Sequence, residues 1–215
     1  MKKILFNDEY LLTQAVIERL KNMTRRVAKW DMIPGEDEAR ISRVELVNIL
    51  VDGRVVYFGY DSNHNLIGET ISTYGVGEVV AVAQNYEDAG LPPSFDSIGP
   101  FQPTAENHPG WKNKLFVRPD LMPYKIKMEN IILRRIQDID QRDSLSEGIQ
   151  EIPYKLVGRN MTYEYGFAQR TPQGGTIIYA YSSPRDAFAK LFNKIAKKKL
   201  WEQNPWCFTY TFKKL

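Results

Sequence analysis

Apolar and polar positions repeat with two different periods along this chain, and the switches between them mark its predicted elements. Leu11, Leu12, Ala15, Val16 and Leu20 recur at helical spacing, which predicts a first helix over 8–20 after a short strand at Ile4-Leu5-Phe6. Asn7 is placed to cap that helix, with Asp8 and Glu9 in the first turn, where the helix dipole favours acids. From 41 to 60 the pattern turns to β. Val44, Leu46 and Leu50 stand on one side of Asp52-Gly53 and Val55, Val56, Tyr57 and Phe58 on the other, a hairpin signal. Val79-Val80-Ala81-Val82 predicts a short buried strand, and Tyr124 to Ile136 a longer one carrying Ile126, Met128, Ile131 and Leu133. Asp138 or Asp140 can cap a short helix over 141–147 that Gly148 stops. Ser183, Pro184 and Asp186 form a capping-box start, and Ala187, Phe188, Leu191, Phe192 and Ile195 make the apolar face of the helix that follows. Trp206 to Phe212 reads as a closing strand.

Residues 31–39, with Pro34-Gly35 and several acids, read as a loop. Two stretches lengthen the chain: a Pro-, Gly- and Asn-rich excursion at 89–114, of the length that lids have, and an inserted hairpin or loop at 150–181. Strands dominate without a βαβ rhythm. The expected class is therefore α+β, a small mixed or closed β-barrel decorated by helices, in a single domain over 1–215.

Bulk properties narrow the function classes without choosing one. The 215 residues are 43% hydrophobic and 26% charged, ordinary for a globular protein, and a net charge of +3 places any nucleic-acid role in local patches. No run approaches the ~20 apolar residues of a membrane span. Asn7-Asp8-Glu9 cuts the N-terminal apolar stretch short, so it does not read as a signal peptide. One cysteine, Cys207, flanked by Trp206 and Phe208, reads as a buried thiol in a reducing, cytoplasmic setting. With that cysteine and two separated histidines, His64 and His108, a zinc site of usual spacing is not expected.

The chemistry-bearing stretch is Lys21-Asn22-Met23-Thr24-Arg25-Arg26, expected in a turn at the carboxyl end of the first helix. An amine and a hydroxyl three residues apart can meet on one side of such a turn. On spacing alone the cations equally well offset the helix dipole, and Thr24 bonds backbone at the helix exit. Lys21 with Glu147 is equally well a plain ion pair tying two helices together.

The ordered set of Lys-x-x-Thr-Arg-Arg, Gly77-Glu78 before a strand, Ile136-Gln137-Asp138-Ile139, Leu145-Ser146-Glu147-Gly148, Ser183-Pro184-Arg185-Asp186 and Asn204-Pro205-Trp206 resembles the ASCH domains of the PUA-like superfamily. The likeness is to their bacteriophage and prophage branch and runs from about residue 4 onward. It implies a β-pseudobarrel with a cleft beside the N-terminal helix for RNA or a modified nucleoside or nucleotide. It also implies an amidohydrolase set for N4-acetylcytidine, with Lys21, Thr24 and Glu147 as its catalytic residues and no metal or cofactor. The chain departs from the family pattern at Arg19-Leu20, where Gly-Arg is usual, at 82–86, and at Pro123.

In that scheme Lys21 is the base for Thr24, Arg25, Arg26 or a backbone N–H meets the oxyanion, and Glu147 protonates the leaving amine or activates water for deacylation. A non-catalytic RNA-binding module needs less: Arg25, Arg26 and Lys29 on phosphates and Trp30 or Tyr86 stacked on a base. A third reading is an accessory protein that docks on a host protein through Phe95, Phe101 and Trp111.

Overall fold

Long strands with one apolar side build most of the chain, and they join into three sheets. A computed structural model describes residues 1–90, 109–157 and 160–215, the side chains of 154–157 and 160–162 excepted. The largest sheet has five strands in the order β1 (Lys3–Ile4), β7 (Val79–Val82), β8 (Lys125–Arg135), β12 (Trp206–Lys214) and β2 (Met23–Val27). A four-stranded sheet runs β3 (Trp30–Met32), β6 (Leu66–Ile71), β5 (Val55–Tyr60) and β4 (Arg43–Ile49). The expected insertion at 150–181 is a third, antiparallel sheet of β11 (Thr176–Tyr181), β10 (Asn160–Arg170) and β9 (Gln150–Val157).

The architecture is α+β. A closed barrel, one of the expectations, is absent among the described residues. The largest sheet keeps β1 and β2 as open edges, and β1 pairs with β7 over only two residues. One apolar cluster nevertheless joins all three sheets. It takes Ile126, Phe208 and Tyr210 from the first, Val55, Tyr57 and Ile67 from the second, and Phe167 from the third.

Local chemistry explains where elements begin and end. β8 buries Ile126 and Met128, then Ile131 and Leu133, a change of parity that a strict two-residue repeat forbids. A bulge absorbs it: Thr211 faces Asn130 while the next residue, Phe212, faces Met128, leaving Glu129 without an opposite number. Asp140, of the two candidate caps, holds α3 (Gln141–Ser146) by accepting from Asp143 N–H at 2.7 Å. Ser183 caps α4 (Pro184–Ala196) by accepting from Asp186 N–H at 3.1 Å, with Pro184 at its first turn.

The first helix is shorter than its apolar spacing predicts, spanning only Leu12–Ile17 (α1). Leu11 before it is left-handed, and Arg19 after it takes a φ of 64°. Around Arg19 the chain makes a Schellman end: Leu20 N–H reaches Ala15 O at 2.8 Å and Arg19 N–H reaches Val16 O at 3.1 Å. The helix therefore stops before Lys21, and Lys21-Asn22 leads into β2 instead of a turn. Two short α-helices, α2 (Tyr86–Ala89) and α5 (Leu200–Gln203), and short 3-10 turns such as Glu38–Arg40 and Ile136–Asp138 fill in the connections.

Most of the 89–114 excursion, with Phe95, Phe101 and His108, lies outside the described residues. Trp111 is half-buried and packs against a small cluster of Ala81, Ala83, Tyr86, Val117 and Met122.

Candidate functional site

The Schellman end of α1 aims Lys21 inward, and the end of α3 supplies what it meets. Asn22 N–H donates to Ser146 O at 3.0 Å, fastening the start of β2 to the last turn of α3. Gly148, with a φ of 100°, then turns the chain away; a Cβ there would lie 3.5 Å from Lys21 Cδ. Behind this joint Lys21 Nζ donates to Glu147 twice, to its carbonyl and to Oε2, both at 2.7 Å.

Arg25, one turn of strand further on, completes a buried charge cluster. Its Nη1 donates to Glu147 Oε1 at 3.2 Å and to Met23 Sδ at 3.3 Å, and its Nη2 donates to Asp143 Oδ2 at 2.5 Å. The guanidinium lies 5.9 Å from the ring centre of Phe188 on α4. Side-chain exposure is 1% for Arg25, 2% for Lys21 and 5% for Glu147, so these charges are essentially out of water. Burial drives the Lys21 pKa below its ordinary 10.5; Glu147 opposes that, while Arg26 and Arg25 reinforce it. Arg26 donates to Leu5 O across Phe6 and has no carboxylate partner among the described residues.

A cavity of about 220 Å³ opens on this cluster. Lys21, Thr24, Arg25, Arg26 and Glu147 form its polar corner, and Phe6, Leu12, Phe188, Leu191 and Phe192 supply apolar walls. Glu147, more than 120 positions away in the sequence, thus lines one space with Lys21 and Thr24. Thr24 and Lys21 share no hydrogen bond among the described residues; the ammonium's two bonds both go to Glu147. The site is therefore a charge-neutralised lysine beside a hydroxyl, facing a mostly apolar pocket. The expected turn is replaced by a strand edge, since Thr24 pairs with Tyr210 in the sheet.

Three other expected binding residues sit elsewhere. Lys29 is exposed and lines a neighbouring cavity of about 380 Å³ that shares Arg26 and Val27 with the first. Trp30 is half-buried against the main core, with its Nε1 unpartnered, so its ring face is used for packing and not for stacking on a base. Tyr86 is 4% exposed within the small second cluster and does not reach the cavity. Burial by residues 110–122, distant in sequence, accounts for that: Tyr86 N–H donates to Gly110 O at 3.0 Å.

Sequence reasoning missed Asp143 and the apolar wall from α4. Asp143 stands four residues before Glu147, a spacing that puts both carboxylates on one helix face and marks them as a pair for Arg25. The α4 face reads in sequence as core alone, and only the tertiary arrangement shows that part of it borders empty space. Among the described residues no group of three or more His, Cys, Asp or Glu is placed to hold a metal ion, and no helix is long and apolar enough to cross a membrane. No protein-family model, curated protein or solved structure matches the chain.

Proposed function

We propose that this chain is an ASCH-like, PUA-type protein whose cavity holds an N4-acylated cytidine-type base and hydrolyses its amide. The observation that carries this reading is the convergence of Lys21, Thr24 and Glu147 on one small cavity with apolar walls. At about 220 Å³ it falls below the roughly 300–1,000 Å³ of pockets that bury drug-sized ligands, which suits a single heterocycle. Apolar walls with one polar corner suit a base better than a phosphate chain.

The chemistry starts from a Lys21–Glu147 pair that shares one proton. The reactive form is the one in which that proton has left Lys21, and burial lowers the Lys21 pKa in that direction. Thr24 Oγ adds to the acyl carbonyl as its proton passes to Lys21, and the N–H groups of Arg25 or Arg26 meet the oxyanion. Collapse breaks the C–N bond, and Glu147 gives its proton to the leaving exocyclic amine. Water then loses a proton to Glu147 and attacks the Thr24 ester. Lys21 returns a proton to Thr24 Oγ, the carboxylic acid departs, and the neutral pair is restored.

Release of cytidine from N4-acetylcytidine by the purified protein tests this, beside Thr24→Ala and Thr24→Ser. Turnover that disappears in Thr24→Ala and partly survives in Thr24→Ser upholds the scheme. The competing reading is a binding module without turnover, favoured by the absence of a Thr24–Lys21 hydrogen bond. It prevails if the nucleoside binds and is returned intact by the wild-type protein. Failure to bind the nucleoside at all removes the base-site reading.

A further inference from the structure

The cavity beside the candidate site has the opposite character. Its volume is about 380 Å³, and its lining includes Arg26, Lys29, Thr73, Tyr74 and Tyr210, with no carboxylate among the residues that form it. Arg26 lies between the two cavities, lining both, and its Nε is buried with no partner. Lys29 is exposed and forms no ion pair among the described residues. Glu78, the acid that acts on Tyr74, is held by Lys2 at 3.2 Å.

The neutral groups also favour an anion. Tyr210 Oη accepts from Thr73 N–H at 3.0 Å, which leaves its own proton free to be donated. Burial raises the pKa of both Tyr74 and Tyr210 above the ordinary 10, so neither phenol carries negative charge at neutral pH. Two cations in a lining that contains no acid, one of them shared with a base-sized pocket, are the pattern of a phosphate subsite.

We propose that this second cavity takes a phosphate group attached to the sugar of the bound cytidine unit, so that the ligand is a nucleotide and not a free nucleoside. The proposal rests on the base-site reading for its link to cytidine, while the anion site stands on its own lining. Arg26 then joins the two halves: from one edge strand it faces the base pocket and the phosphate.

The test is calorimetric binding of cytidine, cytidine 5′-monophosphate and cytidine 3′-monophosphate, none of which can be hydrolysed at N4. One monophosphate is expected to bind on the order of tenfold tighter than cytidine, a gain that shrinks as salt is raised. In Lys29→Ala the ratio of the two affinities is expected to fall toward one. Lys29 is exposed, so this variant folds. A short oligoribonucleotide that binds tighter than the monophosphate assigns the phosphate to an RNA strand; equal binding assigns it to a free nucleotide, and both results uphold the subsite. Equal affinity for cytidine and both monophosphates overturns it and leaves the base site standing. If none of the three binds, inorganic phosphate decides. Phosphate-dependent NMR shifts at Arg26 and Lys29 keep the anion site and remove the base site, whereas their absence removes both.

Discussion

Two corners of this molecule make an ion pair of the same length, and they differ in everything else. At the β4–β5 corner, Arg54 Nε meets Asp52 Oδ2 at 2.7 Å with side chains 37% and 55% exposed. Gly53 between them takes a φ of 78°, where any Cβ would strike Val76 O at 2.4 Å. At the α1–β2 corner, Lys21 meets Glu147 at the same 2.7 Å, but out of water, and Arg19, not a glycine, takes the left-handed conformation. The first corner follows local chemistry throughout. The second departs from it twice, by straining a bulky residue and by desolvating two charges, and that is the corner the cavity opens on. Departures from local rules concentrate where a chain is selected for something other than stability.

The largest expected effect comes from removing Glu147. Glu147→Ala leaves Lys21 with a single carbonyl acceptor and Arg25 with Asp143 as its one carboxylate among the described residues, both cations buried. Breaking a buried pair from one side costs about 3–5 kcal/mol, because the remaining charge stays uncompensated. Urea unfolding at neutral pH reads this directly. A loss no larger than that of an exposed substitution would erase the contrast between the corners.

Arg19→Gly probes the other departure. A non-glycine residue in the left-handed region is strained by about 1–2 kcal/mol, offset in part by the extra freedom glycine gains on unfolding. The variant is therefore expected to gain up to about 1 kcal/mol in the same unfolding measurement. A loss of stability would mean that the Arg19 side chain contributes more than its backbone costs.

The same corner shows how far the sequence could be read. The candidate residues were legible as types: Lys21, Thr24 and Glu147, which the resemblance singles out, line one cavity. So were the elements set by local signals, such as the Asp52-Gly53 hairpin, the Ser183 cap and the Gly148 stop. The end of α1 was not, because Arg19 occupies a position whose conformation glycine would have advertised. β2 was hidden for a related reason. Met23-Thr24-Arg25-Arg26-Val27 reads as charged turn, and Arg25 is buried only because Glu147 and Asp143 arrive from α3 to neutralise it. Trp30 and Tyr86 look like stacking platforms until residues far along the chain cover them. In each case the missing information was a partner distant in sequence.

A pH titration of stability sharpens the contrast without a large energy change. Native Lys21 has its pKa lowered by burial, while the unfolded chain titrates near 10.5. Between those two values the unfolded state binds a proton that the native lysine has released, so stability rises with pH across that window. Below it both states are protonated, and the native state bears the full penalty of the buried ammonium. Tyr10, Tyr74, Tyr210 and Cys207 act with the opposite sign, because burial raises their pKa, for Cys207 to about 12. The difference between wild type and Lys21→Met cancels those shared contributions. It is expected to shift in favour of wild type as pH climbs toward 10.5, and a flat difference would mean that Lys21 titrates normally.

The smallest effect belongs to the exposed corner. Arg54→Ala removes a pair of the same 2.7 Å length as Lys21–Glu147, yet the Asp52 carboxylate it leaves behind is exposed, and water solvates it about as well as the guanidinium did. The variant also no longer has to hold the long Arg54 side chain in one rotamer. The urea midpoint is expected to stay within the error of the measurement, and added salt to leave the difference from wild type unchanged. A clear loss in Arg54→Ala would show that the hairpin turn depends on this contact. Asp52 Oδ1 also accepts from Arg54 N–H at 3.2 Å, and that backbone bond survives the substitution. The turn therefore keeps its geometry from Gly53 and the Asp52 side chain, and the guanidinium is left with little to hold.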